Sequence, residues 1–297
     1  MRHAGAEGEE LLNAAGPARL AADPPACATI AAGTERGTGP KMDFTLRVGL
    51  LAGGLFVAML VLLELGRRFG IRRAAQDSDG ARAGAGVVDG AVFALMGLLV
   101  AFTFSGAASR LDERRKLIVE EANAIGTAYL RIDLLPPAAQ PDLRATFRAY
   151  VDARLGVYRA LPDLAAAKAE LARATGLQQE IWAKAVAAAA GSQAPTMLLL
   201  PALNEMFDIT TTRTSVAQVH PPPIIFALLF ALALLSALLA GYAMAPSKTR
   251  NLVHMAAFAF ALAGAVYVIL DLEYPRLGLI RVDAFDQVLI ELRQSMN

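Results

Sequence analysis

Two polar segments of the chain carry the side chains that could do chemistry. "EEANAIGT" and "LNEMFDITTTR" lie about eighty residues apart, and both fall in regions with helical periodicity. Their candidate polar network is Glu120, Glu121, Asn123, Asn204, Asp208 and Arg213. Carboxylates, amides and a guanidinium can pair across a gap between helices or bind an ion. Two interpretations stay open: a satisfied interhelical network that fixes the helix register, or a vestibule for an ion or ligand.

Catalytic and metal chemistry lack the residues that would complete them. The three histidines, His3, His220 and His254, lie far apart with no metal-ligand spacing around them. The single cysteine, Cys27, can form neither an internal disulfide nor a cysteine metal site. No histidine, cysteine or activated serine accompanies the carboxylates. The set of side chains needed for acid–base or nucleophilic catalysis is therefore incomplete. We therefore expect no enzyme, no metal site and no cofactor.

The composition indicates a membrane protein. Hydrophobic residues make up 56% of the 297-residue chain and charged residues 19%, which is unusually apolar for a soluble domain. Four apolar stretches cover residues 48–65, 87–108, 224–244 and 252–270. Such stretches of about 20 residues match the hydrocarbon core of a bilayer. We therefore expect a lipid bilayer as the environment of the protein. The net charge of +1 gives no basic surface field, so we expect no nucleic-acid partner.

These stretches divide the chain into five parts. We expect an all-α, multi-pass membrane protein with four transmembrane helices in two pairs and a helical domain inserted between the second and third. The parts are a disordered tail at 1–41, transmembrane helices at 42–110, an extramembrane domain at 111–222, transmembrane helices at 223–271 and a C-terminal amphipathic helix at 272–297. The tail is rich in alanine, glycine and proline and lacks aromatic residues. We expect translation to start at Met42.

The second apolar stretch runs directly into a charged helix. An apolar stripe with helical spacing follows it at Leu111, Ile118, Ala122, Ile125, Tyr129 and Ile132. No proline separates the two, so we predict one continuous helix that ends near Pro136 and Pro137. Further helices are predicted at 141–160, 164–190 and 196–219, and one more amphipathic helix at 279–297.

The same apolar stretch carries a stripe of small residues, which is a candidate pore or packing surface. Its members are Gly90, Ala94, Gly97, Ala101, Ser105 and Ala108. Small residues let helix backbones approach closely in lipid. Phe93, Val100 and Phe104 lie on other faces, where they could form an apolar constriction of a pore. The alternative is ordinary helix packing, with the phenylalanines facing lipid.

Three segments resemble one known family. They are "LLVAFTFSGAASRLDERRKLIVEEANAIGTAYLRIDLLP", "LNEMFDITTTR" and "DLEYPRLGLIRVD". Together they resemble a bacterial family of bestrophin-like membrane proteins of unknown function, over residues 42–297. That family is distantly similar to bestrophins, pentameric anion channels with four spans per subunit and a helical domain between the second and third. The resemblance implies a homo-oligomeric ion channel. The chain has no acidic cluster like the bestrophin calcium clasp, so no bestrophin functional residue is assigned here.

Arginine and lysine in the short loops predict the orientation. The loop after the first span holds an arginine cluster, and the loop after the third holds Lys248 and Arg250. The positive-inside rule places both loops in the cytoplasm and the insert outside a bacterial inner membrane, although Arg114, Arg115 and Lys116 favour the reverse.

The predicted function is a homo-oligomeric channel lined by the second span. The alternative is a membrane-anchored sensor or adaptor whose helical domain binds a protein partner; no small-molecule ligand follows from the sequence.

Overall fold

The computed structural model describes residues 44–73, 79–245 and 251–297, with side chains from residue 86 onward in the second helix. In this part of the chain every regular element is helical, which confirms the all-α prediction. The α-helices are α1 (Phe44–Arg73), α2 (Asp79–Leu130), α3 (Gln140–Arg159), α4 (Leu164–Ala189), α5 (Gln193–Gln218), α6 (Pro223–Ala243), α7 (Leu252–Glu273) and α8 (Gln287–Ser295). The predicted tail and its start at Met42 lie outside the described residues.

Four helical segments are long and apolar enough to cross a membrane. They contain the apolar stretches of α1, α2, α6 and α7. This confirms the four membrane-capable helices expected from hydropathy. Each has an apolar window of about the length that a bilayer requires.

Helix α2 runs without a break for 52 residues, as the absence of proline between its two halves predicted. At about 1.5 Å per residue it is roughly 78 Å long, more than twice the ~30 Å hydrocarbon core of a bilayer. The helix passes into a short 3₁₀ turn at Arg131–Leu134 and ends at Leu135, which is extended. Leu135 precedes Pro136, and a residue before proline disfavours the helical conformation.

Helices α1 and α6 cross in backbone contact. A Cβ atom on Gly66 would overlap the carbonyl oxygen of Leu238, and one on Gly241 would overlap the carbonyl oxygen of Leu63. Only glycine therefore fits at either position without moving a helix. Close approach through small residues is how membrane helices gain packing energy in a solvent as apolar as their own side chains.

The second half of α2 forms one side of a packed core. The predicted apolar stripe is buried throughout, with each member at most 8% exposed: Leu111, Ile118, Ala122, Ile125, Tyr129 and Ile132. It belongs to one hydrophobic cluster with Phe147 of α3, Ile181 of α4 and Leu203 of α5. Burial of this stripe holds α2 against α5 and against α3, where the ring of Tyr129 lies edge-on to Phe147 at a centroid distance of 5.8 Å.

The C-terminal segment differs from its prediction, because α8 begins only at Gln287 instead of near residue 279. The carboxylate of Asp271 accepts hydrogen bonds from the backbone N–H groups of Leu279 at 2.9 Å and Ile280 at 2.7 Å. Those contacts hold the chain in a turn after α7 and prevent an earlier helix start. Helix α8 then packs on α2 and α3, where the hydroxyl of Tyr129 donates to the carbonyl oxygen of Met296 at 3.0 Å.

Candidate functional site

The apolar half of α2 is the least buried of the four membrane-capable segments. Only 6% of its most apolar window is buried within the chain, against 28–33% for the other three. The small-residue stripe is on the open side: Gly90, Ala94, Gly97, Ala101 and Ser105 are exposed, and Ala108 is half-buried. A Cβ on Gly90 or Gly97 would meet nothing within 4 Å. One side of this helix is thus left without a protein neighbour.

The three residues of the candidate constriction do not share that open side. Phe93 is half-buried, with its ring edge-on to Phe258 of α7 at a centroid distance of 6.4 Å. Val100 is half-buried against the hydrophobic cluster. Phe104 alone is exposed, at 46%. The physical reason is helical phase: Phe93 and Val100 lie close to the buried Met96 and Ala107 around the helix, so they face the chain's own bundle.

A buried ion cluster joins the second half of α2 to α3 and α5. The carboxylate of Glu121 accepts a hydrogen bond from Nε of Arg154 at 2.5 Å and another from Nη1 of Arg213. Glu121 and Arg154 are 0% exposed, and Arg213 is 4% exposed. Two cations on one buried carboxylate satisfy both of its oxygens, and such pairs are strong because little water screens them.

Contacts within the cluster shift the pKa values of its members, all of which lie outside the apolar stretch 87–108. Burial opposes the charge on Glu121, but the guanidinium groups of Arg154 and Arg213 outweigh it and lower the carboxyl pKa. Burial also opposes the charge on Arg154, yet Tyr158 and Glu121 raise the Arg154 pKa overall. Burial raises the pKa of Tyr150 to about 12. At neutral pH Glu121 and Arg154 are therefore charged, and Tyr150 beside them is neutral.

An aromatic ring extends the cluster toward the C-terminal segment. The guanidinium carbons of Arg213 and Arg276 each lie 4.1 Å from the ring centroid of Tyr158. Arg276 in turn makes a bidentate pair with Asp286, at 2.7 and 2.9 Å. Through their contacts with Tyr158, the two arginines join α5 to the turn after α7, so charged groups as well as apolar packing hold these elements around α2.

Of the six residues predicted as a polar network, the structure brings Glu121 and Arg213 together. Glu120 pairs with Lys116 of its own helix at 3.3 Å. Asn123, Asn204 and Asp208 are exposed, because their positions on α2 and α5 turn them away from the packed faces. Sequence reasoning missed Arg154, Arg276 and Asp286.

Arg154 had a detectable signal. It falls on the apolar stripe of α3 after Phe147, Tyr150 and Val151, all of which are 0% exposed. A charge at a core position of an amphipathic helix points to a buried partner, since an unpaired charge is costly to bury. Arg276 lies in the turn after α7 and Asp286 in a four-residue 3₁₀ turn, Asp283–Asp286, where no helical periodicity marks a buried face.

A second ion cluster lies where the two halves of α2 meet. Arg110 forms a bidentate ion pair with Glu273 at the end of α7, and the Glu273 side chain is 1% exposed. Arg114 donates to the backbone carbonyl oxygens of Glu273 and Val219, at 3.0 Å each. His220 places Nδ1 3.6 Å from Glu273 and stacks its ring on Tyr274. This junction ties α2 to the end of α7 and to the connection between α5 and α6.

Within residues 44–73, 79–245 and 251–297, no group of three histidine, cysteine, aspartate or glutamate side chains could hold a metal ion. The buried carboxylates Glu121 and Glu273 are each occupied by arginine. What the geometry provides is a long rigid helix, anchored by ion pairs in one half and open along one side of the other.

Comparison with known proteins rests on one match. A family model described as the Bestrophin-like domain matches residues 53–284, more than three quarters of the chain. No curated protein and no solved structure matches it. The matched range covers most of α1, all of α2 to α7 and both ion clusters apart from Asp286. The chain is a membrane protein that belongs to the Bestrophin-like domain family.

Proposed function

We propose that this chain assembles into a homo-oligomeric ion channel lined by the apolar half of α2. The observation that carries the proposal is the open side of that helix, where only 6% of the most apolar window is buried. Copies of the chain arranged around an axis would cover this side and leave a gap between the helices. Small residues at Gly97, Ala101 and Ser105 keep side chains out of such a gap.

The exposed position of Phe104 revises the constriction. Phe93 and Val100 face the bundle of their own subunit, so they do not narrow a lumen formed by the open side. Phe104 lies at the border of the open side and is 46% exposed. A ring of phenylalanine side chains, one from each copy, would form an apolar gate that closes by dewetting.

The junction supplies a route from the insert to the lining helix. Arg110 and Arg114 bind Glu273 and the backbone next to α6 immediately after the apolar half of α2. Because α2 has no break at this point, a tilt of the insert, residues 111–222, would move the lining helix as one rigid body. We propose that the insert lies on the extracytoplasmic side of the membrane and the arginine-rich short loops lie in the cytoplasm.

Planar-bilayer recording of the purified protein tests the channel. We expect discrete conductance steps, and Phe104→Ala should raise the unitary conductance because it widens the constriction. The matched control is Phe102→Ala, two residues earlier, on the opposite side of the helix and 67% exposed. It should leave the unitary conductance unchanged. No steps at any voltage, pH or calcium concentration would contradict the channel.

A membrane-anchored sensor or adaptor is the second candidate, favoured by the same unbroken helix. In that case the insert binds a protein partner and the spans serve as an anchor. Crosslinking in native membranes separates the two. Recovery of contacts between copies through α2, and none to another protein, supports the channel. A single other protein bound to the insert, with no contacts between copies, supports the adaptor.

A further inference from the structure

A cavity lies at the end of the helix bundle farthest from the junction. At the junction end, the hydroxyl of Thr45 on α1 donates to the carbonyl oxygen of Leu277 at 3.2 Å. Arg67 lies 22 residues farther along α1, roughly 33 Å at 1.5 Å per residue. That length matches the hydrocarbon core of a bilayer, so Arg67 lies at the opposite membrane surface.

The cavity has a volume of about 520 Å³ and is lined by all four membrane-capable segments. Its walls are mainly apolar, with Leu63 from α1, Phe93 from α2, Met244 after α6 and Phe258 from α7. Among the described residues that line it, the polar side chains are Arg67, Asn251 and His254, and Arg67 is the charged one. Apolar walls with a small number of polar groups are the usual features of a ligand pocket.

Arg67 is the anomalous residue in this cavity. The residue as a whole is only 8% exposed, its nitrogens keep access to solvent, and among the described residues no hydrogen bond or ion pair is found for its side chain. Its neighbour Arg68 behaves as surface arginines do: its side chain is 60% exposed and pairs with Glu64 at 2.9 Å. An arginine that lines a mainly apolar cavity and pairs with no described side chain has its donors free for an anion supplied from outside the chain.

The start of α7 offers further donors at the same place. Asn251 and His254 line the cavity, and the Asn251 side chain accepts a hydrogen bond from the backbone N–H of His254 at 3.2 Å. Asn251 is thus the N-cap of a 22-residue helix. The N-terminus of a helix carries free N–H groups and a partial positive charge, and both favour phosphate.

We infer that this cavity binds an anionic phospholipid. The phosphate group lies on Arg67 at the membrane surface, and an acyl chain runs along Phe93 and Phe258. A small soluble anion would satisfy Arg67 but leave the apolar walls exposed, whereas a phospholipid covers both. Basic pockets between membrane helices bind anionic headgroups for this reason.

Lipid titration of the purified protein in detergent tests the inference. Native mass spectrometry counts bound phosphatidylglycerol, and thermal melting reports the stabilisation it gives. Arg67→Gln should weaken phosphatidylglycerol binding about tenfold, which is the loss of one charge-assisted hydrogen bond. Arg67→Lys should keep most of the binding. Arg68→Gln, one residue away but exposed and already paired, should bind like the wild type.

Two further arms decide the chemistry of the ligand. Phosphatidylcholine should bind more weakly than phosphatidylglycerol, and inorganic phosphate at the same concentration should not stabilise the protein. If inorganic phosphate stabilises it as well as the lipid does, the site is a soluble-anion site and the inference is wrong. Equal lipid binding by Arg67→Gln and wild type also overturns it. If Arg67→Gln does not fold, Ala243→Phe, which fills the cavity and keeps the arginine, should abolish lipid retention; undiminished retention contradicts the site.

Discussion

The two halves of α2 differ in how much of their environment the chain supplies. From Leu111 to Ile132 the apolar stripe is fully buried, and Glu121 has both carboxylate oxygens bound to arginine. In the apolar half, 6% of the most apolar window is buried and the small-residue side has no protein neighbour. One half is complete within a single chain. The other is open to lipid or to further copies, and the proposed channel depends on that open surface.

Removing the carboxylate at the centre of the complete half should have the largest effect. Glu121→Ala leaves Arg154 and Arg213 buried beside a cavity without their counter-charge. Breaking a buried pair in this way costs about 3–5 kcal/mol, a large share of the stability of a protein domain. Thermal melts in detergent measure it. Glu113→Ala, on the same helix but exposed, is the control and should melt like the wild type; equal melts for the two variants would show that the cluster does not stabilise the fold.

Proline at Leu117 tests the continuity between the halves. Leu117 is 6% exposed in the middle of α2, so proline there removes a backbone hydrogen bond and clashes with the preceding turn. The expected loss is about 3 kcal/mol or more. Ala138→Pro, in the exposed turn before α3, should lose much less. If both variants melt alike, α2 is hinged near Leu117 and cannot transmit a tilt.

Acid should weaken the complete half selectively. The folded-state pKa of Glu121 is lowered from its ordinary value of 4.5, so the ion pair's contribution is fully present above that pH and is lost as pH falls further. We expect the melting temperature to decrease as the pH is lowered below about 4.5. In Glu121→Gln, which cannot ionise, that fall should be shallower. An identical pH dependence in the two proteins would exclude Glu121 as its source.

A bulky residue on the open side should leave the stability of the single chain nearly unchanged. Ala101 is exposed on the small-residue stripe, and surface substitutions usually change stability by about 0.5 kcal/mol or less. Ala101→Leu should nevertheless lower the oligomer fraction in size-exclusion chromatography with light scattering, because it separates the copies. A loss of single-chain stability comparable to that of Glu121→Ala would mean that the stripe packs within the chain.

Much of the architecture follows from sequence periodicity. Apolar run length predicts the four membrane-capable segments, and the stripe from Leu111 to Ile132 predicts the buried face of α2. The absence of proline predicts the unbroken helix. These features depend on local composition and spacing, which sequence displays directly.

The site is less accessible to sequence because it depends on which helix faces meet. Glu121 and Arg213 are 92 residues apart. The sequence alone does not indicate that Glu121 contacts Arg213 and not the neighbouring Asn204 or Asp208. In the sequence Phe93 and Val100 look like pore residues, but Phe93 contacts Phe258 of α7 and Val100 packs against the hydrophobic cluster. The delayed start of α8 depends on the Asp271 carboxylate, a contact between a helix end and a later turn.

Disulfide crosslinking at Ser105 in native membranes tests most directly whether the open half of α2 is completed by other copies. Ser105→Cys is made in a Cys27→Ser background, since Cys27 is the one cysteine of the chain. Thr103→Cys serves as control, because Thr103 is half-buried and its hydroxyl bonds the carbonyl oxygen of Leu99 at 2.7 Å. After oxidation we expect crosslinked dimers of this chain for Ser105→Cys and few for Thr103→Cys. Ser105→Cys that stays monomeric, or crosslinks only as Thr103→Cys does, would contradict the assembly and with it the channel.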